Sequence, residues 1–192
     1  MIAVKVAHDH TGFSPKDLIK GLEFTARQAK ETGRPSVALI GACGPKNDDV
    51  DAAVTSAIRA GVFTVVSAGD HSQAASAYSP ARASGAFTVA ATNLKDECTK
   101  FSNFGPAVDI YAPGEGIIST SIGSSPTSTL SGTAQAAAHV AGLAAYFLTT
   151  HAESGATPAT IGDTIIKLAN HRVLHNVPDH TVNLLASNNT GL

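Results

Sequence analysis

Short apolar runs alternate along the chain with segments whose apolar residues recur every three or four positions. Runs of four to six residues rich in β-branched and apolar side chains predict strands. They cover residues 2–7, 36–41, 62–67, 87–92 and 108–111, and a further short strand is predicted within residues 181–186. The runs are continuously apolar, which is typical of parallel strands buried on both faces.

The intervening segments carry helix start and stop signals. Ser14 followed by Pro15, with Asp17 three residues after the serine, predicts a helix N-terminus, and Gly33 fits its end. Further helices are predicted from residue 47 to 60, 133 to 149 and 157 to about 170. Alternating strands and helices predict one α/β domain over residues 1–192, a three-layer parallel sheet with helices on both faces.

Composition narrows the function. Net charge is −2 with scattered Lys and Arg, which excludes the clustered basic face of a nucleic-acid-binding protein and a polybasic membrane patch. The longest apolar stretch, residues 134–148, is interrupted by Gln135, His139 and Gly142, so it predicts a core helix and no membrane span. The start of the chain lacks a signal-peptide pattern, so we expect a cytoplasmic protein or a numbering that begins after processing.

Two cysteines, Cys43 and Cys98, are too few for a disulfide framework. Two free thiols are the favoured expectation, and a single bridge between them stays open.

Five stretches carry a resemblance to subtilisin-type serine proteases of the proteinase K branch. Residues 130–142 read LSGTAQAAAHVAG, residues 67–70 SAGD, residues 101–105 FSNFG, residues 108–114 VDIYAPG and residues 3–6 AVKV. They are similar to the family's nucleophile motif, its oxyanion turn, two further motifs, and the strand before its substrate-binding loop. The resemblance covers nearly the whole chain and implies a subtilisin-like fold.

Departures from the family pattern decide the expected activity. The nucleophilic serine falls on Ala134, whose methyl group has no lone pair with which to attack a carbonyl. The oxyanion-hole asparagine falls on Asp70, and the proline before the motif histidine on Ala138. The resemblance places the catalytic Asp and His N-terminal to the strand with which this chain begins. All three triad positions are therefore empty, and we expect no serine peptidase activity.

The resemblance also implies a gap in the sheet. The family's Asp-bearing strand lies between the strands that match residues 2–7 and 36–41, and this chain lacks it. Because buried edges with unpaired backbone groups are not viable, we expect the first strand to move over and pair with residues 36–41. The alternatives are a strand from a partner chain, or a homodimer formed through the exposed edge.

Two Asp–His clusters follow predicted strands. His8, Asp9 and His10 follow the first strand, and Asp70 and His71 follow the third. Ligands of open parallel sheets bind beyond the carboxyl ends of the strands. One hypothesis is a remade acid–base or metal site. The other is a polar loop whose side chains cap helices or face water.

Other positions match the family's substrate cleft and a calcium site. Residues 41–44, which are Gly41, Ala42, Cys43 and Gly44, align with one wall, and the segment from Thr11 aligns with the other. With Asp70 and Ala134 they would form a remnant cleft for a peptide or a small molecule.

A calcium site of proteinase K relatives matches Asp109 and the carbonyls around Ser84 and Ala86. The alternative role of Asp109 is local hydrogen bonding at the end of a strand. No other cofactor is expected.

Three functions follow from these observations. The first is a pseudoprotease that binds or regulates through the remnant cleft. The second is a repurposed isomerase, cyclase or lyase that uses Asp70, His71, Asp9 and His10 for proton transfer on a small molecule. The third is a fragment that another chain completes.

Overall fold

The computed structural model describes residues 1–8, 12–122, 125–150 and 157–189. Its helices are α1 (Pro15–Thr32), α2 (Asp48–Arg59), α3 (Thr133–Thr150) and α4 (Ile161–Leu168). Its strands are β1 (Ala7–His8), β2 (Gly12–Phe13), β3 (Ser36–Ile40), β4 (Gly44–Pro45), β5 (Val62–Ser67), β6 (Tyr78–Ser79), β7 (Phe87–Thr92), β8 (Ile110–Pro113), β9 (Ile117–Thr120), β10 (Thr127–Leu130), β11 (Asn170–His171) and β12 (Leu184–Leu185).

A six-stranded sheet forms the centre of the molecule, in the order β3-β5-β7-β8-β12-β11. Strands β3, β5, β7, β8 and β12 run parallel, and β11 pairs antiparallel with β12 at the far edge. Every residue of β5 and β7 is buried, as their continuous apolar sequences predict. The predicted α/β fold with a parallel sheet is confirmed. The short strand predicted within residues 181–186 corresponds to β12.

Helices cover both faces of this sheet. Helices α3 and α4 lie on one face, where Val65, Val89, Val140 and Ile165 belong to one buried cluster. Helices α1 and α2 lie on the other face, and their contribution includes Leu22 and the fully buried Val54. The burial of these two apolar layers is the main stabilising term of the fold.

The helix ends follow the local signals in the sequence. The Ser14 hydroxyl accepts a hydrogen bond from the Asp17 backbone N–H, and Gly33 ends α1 in the left-handed conformation with φ 62°. The Asn47 side chain accepts from the Val50 N–H at the start of α2. These caps fix where α1 and α2 begin, and thereby the loops that precede them.

The expected rearrangement of the first strand is wrong. Residues 1–6 form no strand, and β1 pairs with β2 in a small antiparallel hairpin. The segment packs against α1 instead: a Cβ at Gly21 would lie 2.5 Å from Val6 Cγ1, so the missing side chain makes room for the valine. Val6 packs against the buried residues on the α1 and α2 face of the sheet, which we call the α1–α2 cluster. This packing takes the place of strand pairing for residues 1–6.

Strand β3 is consequently an edge of the sheet. It pairs with β5 over its whole length, and no strand among the described residues pairs with its other side. Both cysteines are free, as favoured from the sequence. None of the described helices is long and apolar enough to cross a membrane.

Candidate functional site

The N-terminus of α3 lies beside the carboxyl ends of β3 and β5, and Ala134 occupies its first turn. A Cβ at Gly41 would lie 3.2 Å from the Ala134 methyl carbon, so the residue after β3 contacts the helix directly. The motif alignment placed these two residues in one cleft, and the structure brings them together.

The two hydroxyl groups that precede Ala134 in the sequence, those of Ser131 and Thr133, are engaged in structural hydrogen bonds. The Thr133 hydroxyl accepts from the Gly69 N–H at 3.0 Å, and Thr133 is fully buried. The Ser131 hydroxyl accepts from the Gly116 N–H at 3.0 Å. Each hydroxyl oxygen links the start of α3 to a neighbouring loop, and neither pairs with a histidine among the described residues.

Asp70 caps α3 from a different part of the chain. Its Oδ1 accepts the Thr133 backbone N–H at 2.8 Å, although 63 residues separate the two positions in sequence. The unpaired N–H groups of a helix N-terminus carry a partial positive charge that stabilises a carboxylate. The side chain therefore presents an acceptor at the place where an oxyanion hole needs a donor.

His71 contacts Tyr78 and Asn103. Its ring stacks on Tyr78 with 4.6 Å between ring centroids, and its backbone N–H donates to the Asn103 side chain. Asp9, His10 and Thr11 lie outside the described residues. The acid–base or metal hypothesis stays a prediction, and no cluster of three His, Cys, Asp or Glu side chains occurs in the described part of the chain.

Asn103 organises the turn that carries Asp70, a role that the sequence analysis missed. It is fully buried, accepts from the N–H groups of His71 and Gln73, and donates to the Ala68 carbonyl at 2.9 Å. The family-like FSNFG stretch was the available signal, but these contacts reach across about 30 residues and could not be derived from it.

Cys43 lines the same cleft as a protonated thiol. Its Sγ lies 3.8 Å from the Ala68 carbonyl oxygen, and a Cβ at Gly69 would be 2.7 Å from the sulfur. Burial, with a smaller contribution from the negative charge of Asp70, raises the pKa of this thiol to about 11. A thiol is a poor nucleophile until it ionises, so the raised pKa favours a role for Cys43 in lining the cleft.

A cavity of about 230 Å³ opens beside Cys43 and Gly44. Its walls combine the apolar side chains of Phe13, Pro15, Pro45 and Val50 with the polar Asn47 and Ser79. Of the residues that the sequence assigned to the cleft, Cys43 and Gly44 line this cavity, whereas Ala42 packs against the α1–α2 cluster. A wider, open depression lies between residues 4–7 and α1, away from the N-terminus of α3.

The proposed calcium residues lie near the start of β7 and β8. Asp109 Oδ2 accepts the Thr88 N–H at 2.6 Å, and burial raises the pKa of this carboxyl to about 6. The Ser84 carbonyl accepts from the Thr55 hydroxyl at 3.4 Å, and Ala86 donates its N–H to Ala83. These contacts agree with the alternative role of Asp109 as a local acceptor. Because calcium requires six to eight oxygen ligands, the metal site stays a prediction.

Comparisons with known proteins agree with this geometry. A model of the subtilase family of peptidases matches residues 1–187. A subtilase-type proteinase of Schizosaccharomyces pombe is 42% identical over 193 residues, and cerevisin of Saccharomyces cerevisiae is 37% identical over 209 residues. The crystal structure of a cold-adapted subtilisin-like serine proteinase superposes with a TM-score of 0.85 at 31% identity.

These matches cover the chain almost completely but only part of each relative. They include 98% of this chain and 43% of the S. pombe protein, 100% and 33% for cerevisin, and 94% and 64% for the cold-adapted proteinase. The chain therefore spans less than two thirds of each of these relatives.

Proposed function

Because the chain belongs to the subtilase family and carries a methyl group where that family's nucleophile resides, we propose that it is a catalytically inactive, peptide-binding member. The observation that carries the proposal is Ala134 in the first turn of α3, in contact with Gly41. An acyl intermediate requires a nucleophilic oxygen or sulfur with a base beside it. The methyl group of Ala134 provides neither.

Nearby groups do not compensate for this loss. The hydroxyls of Ser131 and Thr133 accept structural hydrogen bonds, and the raised pKa of Cys43 keeps its thiol protonated at neutral pH. Asp70 adds a carboxylate at the helix end, where negative charge developing on a substrate carbonyl would be repelled. Binding without turnover is the function that this set of groups supports best.

The cavity beside Cys43 favours a peptide over a drug-sized metabolite. Ligand pockets for drug-sized molecules measure about 300–1,000 Å³, whereas this one holds about 230 Å³. That volume suits one apolar side chain, which the walls formed by Phe13, Pro45 and Val50 would surround. An extended peptide could place one such residue in the cavity while the rest of its chain crosses the cleft.

A thermal-shift screen of peptides and small metabolites tests the proposal. We expect peptides with an apolar side chain to raise the melting temperature of the wild-type chain and of Asp70→Asn alike. Gly44→Val should abolish that shift because a Cβ at Gly44 already lies 3.4 Å from the Phe13 ring, so a larger side chain fills the cavity. Gly142→Ala, on an open part of α3, is the matched control and should retain it.

Two outcomes would contradict the proposal. Stoichiometric labelling by a covalent serine-hydrolase probe would show a nucleophile that Ala134 cannot supply. A metabolite that stabilises the wild type, but not Asp70→Asn, would support a repurposed enzyme instead.

A further inference from the structure

Two hydrogen-bond acceptors converge over Gly132 at the start of α3. A Cβ at Gly132 would lie 2.7 Å from Gln135 Oε1 and 3.0 Å from Asp70 Oδ2, so both oxygens lie on the same side of that glycine. Asp70 Oδ1 accepts the Thr133 N–H, which leaves Oδ2 on the side of Gln135. Carboxylate and amide carbonyl oxygens can only accept hydrogen bonds. No donor among the described residues reaches either atom, so the pair fits a donor group brought by a ligand.

The charge around this pair of acceptors favours a cation over a neutral donor. Asp70 is exposed, and no lysine or arginine among the described residues forms an ion pair with it. The first turn of α3 contains no acidic or basic residue, and the preceding residues 116–132 contain none either. The negative charge of Asp70 is therefore left without a paired cation in the described part of the chain.

The neighbours of the two acceptors leave room for an aliphatic stem. The half-buried Ala134 presents a methyl group, and the exposed Gly41 lies opposite, where an added Cβ would be 3.2 Å from the methyl carbon. Methylene groups of a lysine pack against apolar surface while the ammonium group binds polar atoms. An ammonium has three N–H donors, so it can satisfy both acceptors. A calcium ion requires six to eight oxygen ligands, which two acceptors do not provide.

Asp70 lies close enough to the cavity beside Cys43 for one ligand to reach both. A Cβ at Gly69, the residue before Asp70, would lie 2.7 Å from Cys43 Sγ, and Cys43 lines the cavity. The negative charge of Asp70 also contributes to the raised pKa of the Cys43 thiol. Successive residues of an extended peptide are spaced about 3.3 Å apart. An amine within a few residues of an apolar side chain in the cavity can therefore reach Asp70.

We propose that Asp70 and Gln135 bind a protonated primary amine of the ligand in the cleft. The amine is a lysine side chain or the free N-terminus of a peptide, since both present an ammonium group on an aliphatic carbon. The inference rests on the proposed peptide-binding function, and it adds a charged group to the apolar side chain that enters the cavity. A carboxylate that would repel a developing oxyanion then selects a cation.

NMR-monitored titration with three peptides tests the inference. The first is an alanine hexapeptide with one leucine, blocked by an N-terminal acetyl group and a C-terminal amide. The second has a free N-terminus, and the third keeps both blocked ends but carries one lysine. The leucine and the lysine are moved through the sequence to vary their spacing.

The measured quantity is the gain in affinity from the amine. It is the dissociation constant of the blocked peptide divided by that of the amine-bearing peptide, both on the same variant. We expect a gain of about fivefold or more on the wild type, because a charged hydrogen-bonded pair forms at the site. A gain confined to the second peptide identifies a free N-terminus as the ligand group, and one confined to the third identifies a lysine; either result supports the inference.

Two substitutions at the site should reduce the gain. Asp70→Asn keeps an oxygen for the Thr133 N–H but carries no charge, so the gain should fall to about one. Gln135→Leu removes the second acceptor and keeps a good helix-forming residue, so the gain should fall about twofold. Because each gain is a ratio on one variant, a change in stability or in cavity binding does not affect it.

Asp163→Asn is the matched control. Asp163 is exposed and follows Gly162, where an added Cβ would lie 3.4 Å from the Phe63 and Phe87 rings at the starts of β5 and β7. The substitution removes the same charge at the opposite end of the sheet from the cleft and should keep the full gain. Raising the salt concentration from about 50 mM to about 500 mM should reduce the gain on the wild type, because salt screens an exposed ion pair.

The outcomes separate this inference from the proposed function. If the blocked peptide binds and both amine-bearing peptides show a gain near one, the inference is wrong and the proposed function stands. A gain that persists on Asp70→Asn would also overturn the inference, because attraction would then come from the net charge of the chain. Absence of binding by all three peptides would overturn both. Binding by the amine-bearing peptides alone would contradict binding through the cavity and support the amine site.

Discussion

The sheet has one edge formed by a polar, two-residue strand, β11, and one formed by an apolar, five-residue strand, β3. At the first edge, Asn170 and His171 of β11 are exposed and pair antiparallel with β12. The Asn183 side chain accepts from the Leu174 N–H and donates to the Leu174 carbonyl, which satisfies backbone groups beside that edge. At the opposite edge, β3 is apolar apart from Ser36, and no strand among the described residues pairs with its outer side. A short polar strand is typical of a sheet edge, whereas β3 has the composition of an interior strand.

The largest expected effect comes from comparing the loss of unfolding free energy for a truncation in an interior strand with that for a truncation in β3. Ile110→Ala on β8 should cost about 2–5 kcal/mol of unfolding free energy, because the side chain is fully buried and leaves a cavity. Leu39→Ala removes a side chain that is 47% exposed and should cost less than about 1 kcal/mol. Urea unfolding at low protein concentration measures both, and equal costs would show that the β3 edge is already covered in solution.

A pH series tests how the interior pair β7–β8 tolerates a buried carboxyl. The pKa of Asp109 is raised from 3.8 to about 6 by burial, so the folded state binds its proton more tightly than the unfolded state does. Below about pH 4 both states are protonated. Above about pH 6 both are ionised, and the folded state carries the desolvation cost. Stability should therefore fall as the pH rises from about 4 to about 6, by on the order of 3 kcal/mol.

Asp109→Asn is the control for that series. The amide oxygen can still accept the Thr88 N–H but does not titrate in this range. The difference in stability between wild type and variant should therefore change over this pH window and stay level outside it. A difference independent of pH would contradict the raised pKa.

The last test concerns the polar edge. Asn183→Ala removes both hydrogen bonds to the Leu174 backbone and should cost about 1–2 kcal/mol. Faster amide hydrogen exchange should be confined to residues 170–175 and 183–186, next to the lost side chain. Unchanged exchange there would show that Asn183 does not secure this edge.

Elements specified by local signals could be predicted from the sequence. Ser14 with Pro15, and Asn47, marked two helix starts because capping depends on residues three positions away. The buried strands β5 and β7 were predicted because a short, continuous apolar run is typical of a parallel strand that is buried on both faces. The β11 strand was missed, since two polar residues carry no periodicity.

Contacts between distant residues could not be predicted from the pattern. Residues 2–7 have the composition of a strand, but Val6 packs on α1 because Gly21 leaves space for it, and a propensity argument does not include that competition. Within the site, the family-like motifs placed Ala134 and Asp70 in one cleft. The cap that Asp70 provides to Thr133, the buried hub at Asn103 and the raised pKa of Cys43 all arise from tertiary contacts.

The Asp70 cap has a consequence for attempts to engineer a nucleophile at the start of α3. A serine introduced at position 134 would stand beside a helix end whose amide proton is already bound by an internal carboxylate. On the proposed inactive role, we expect Ala134→Ser alone to leave the chain inert, because a donor to a developing oxyanion would require a change at position 70 as well.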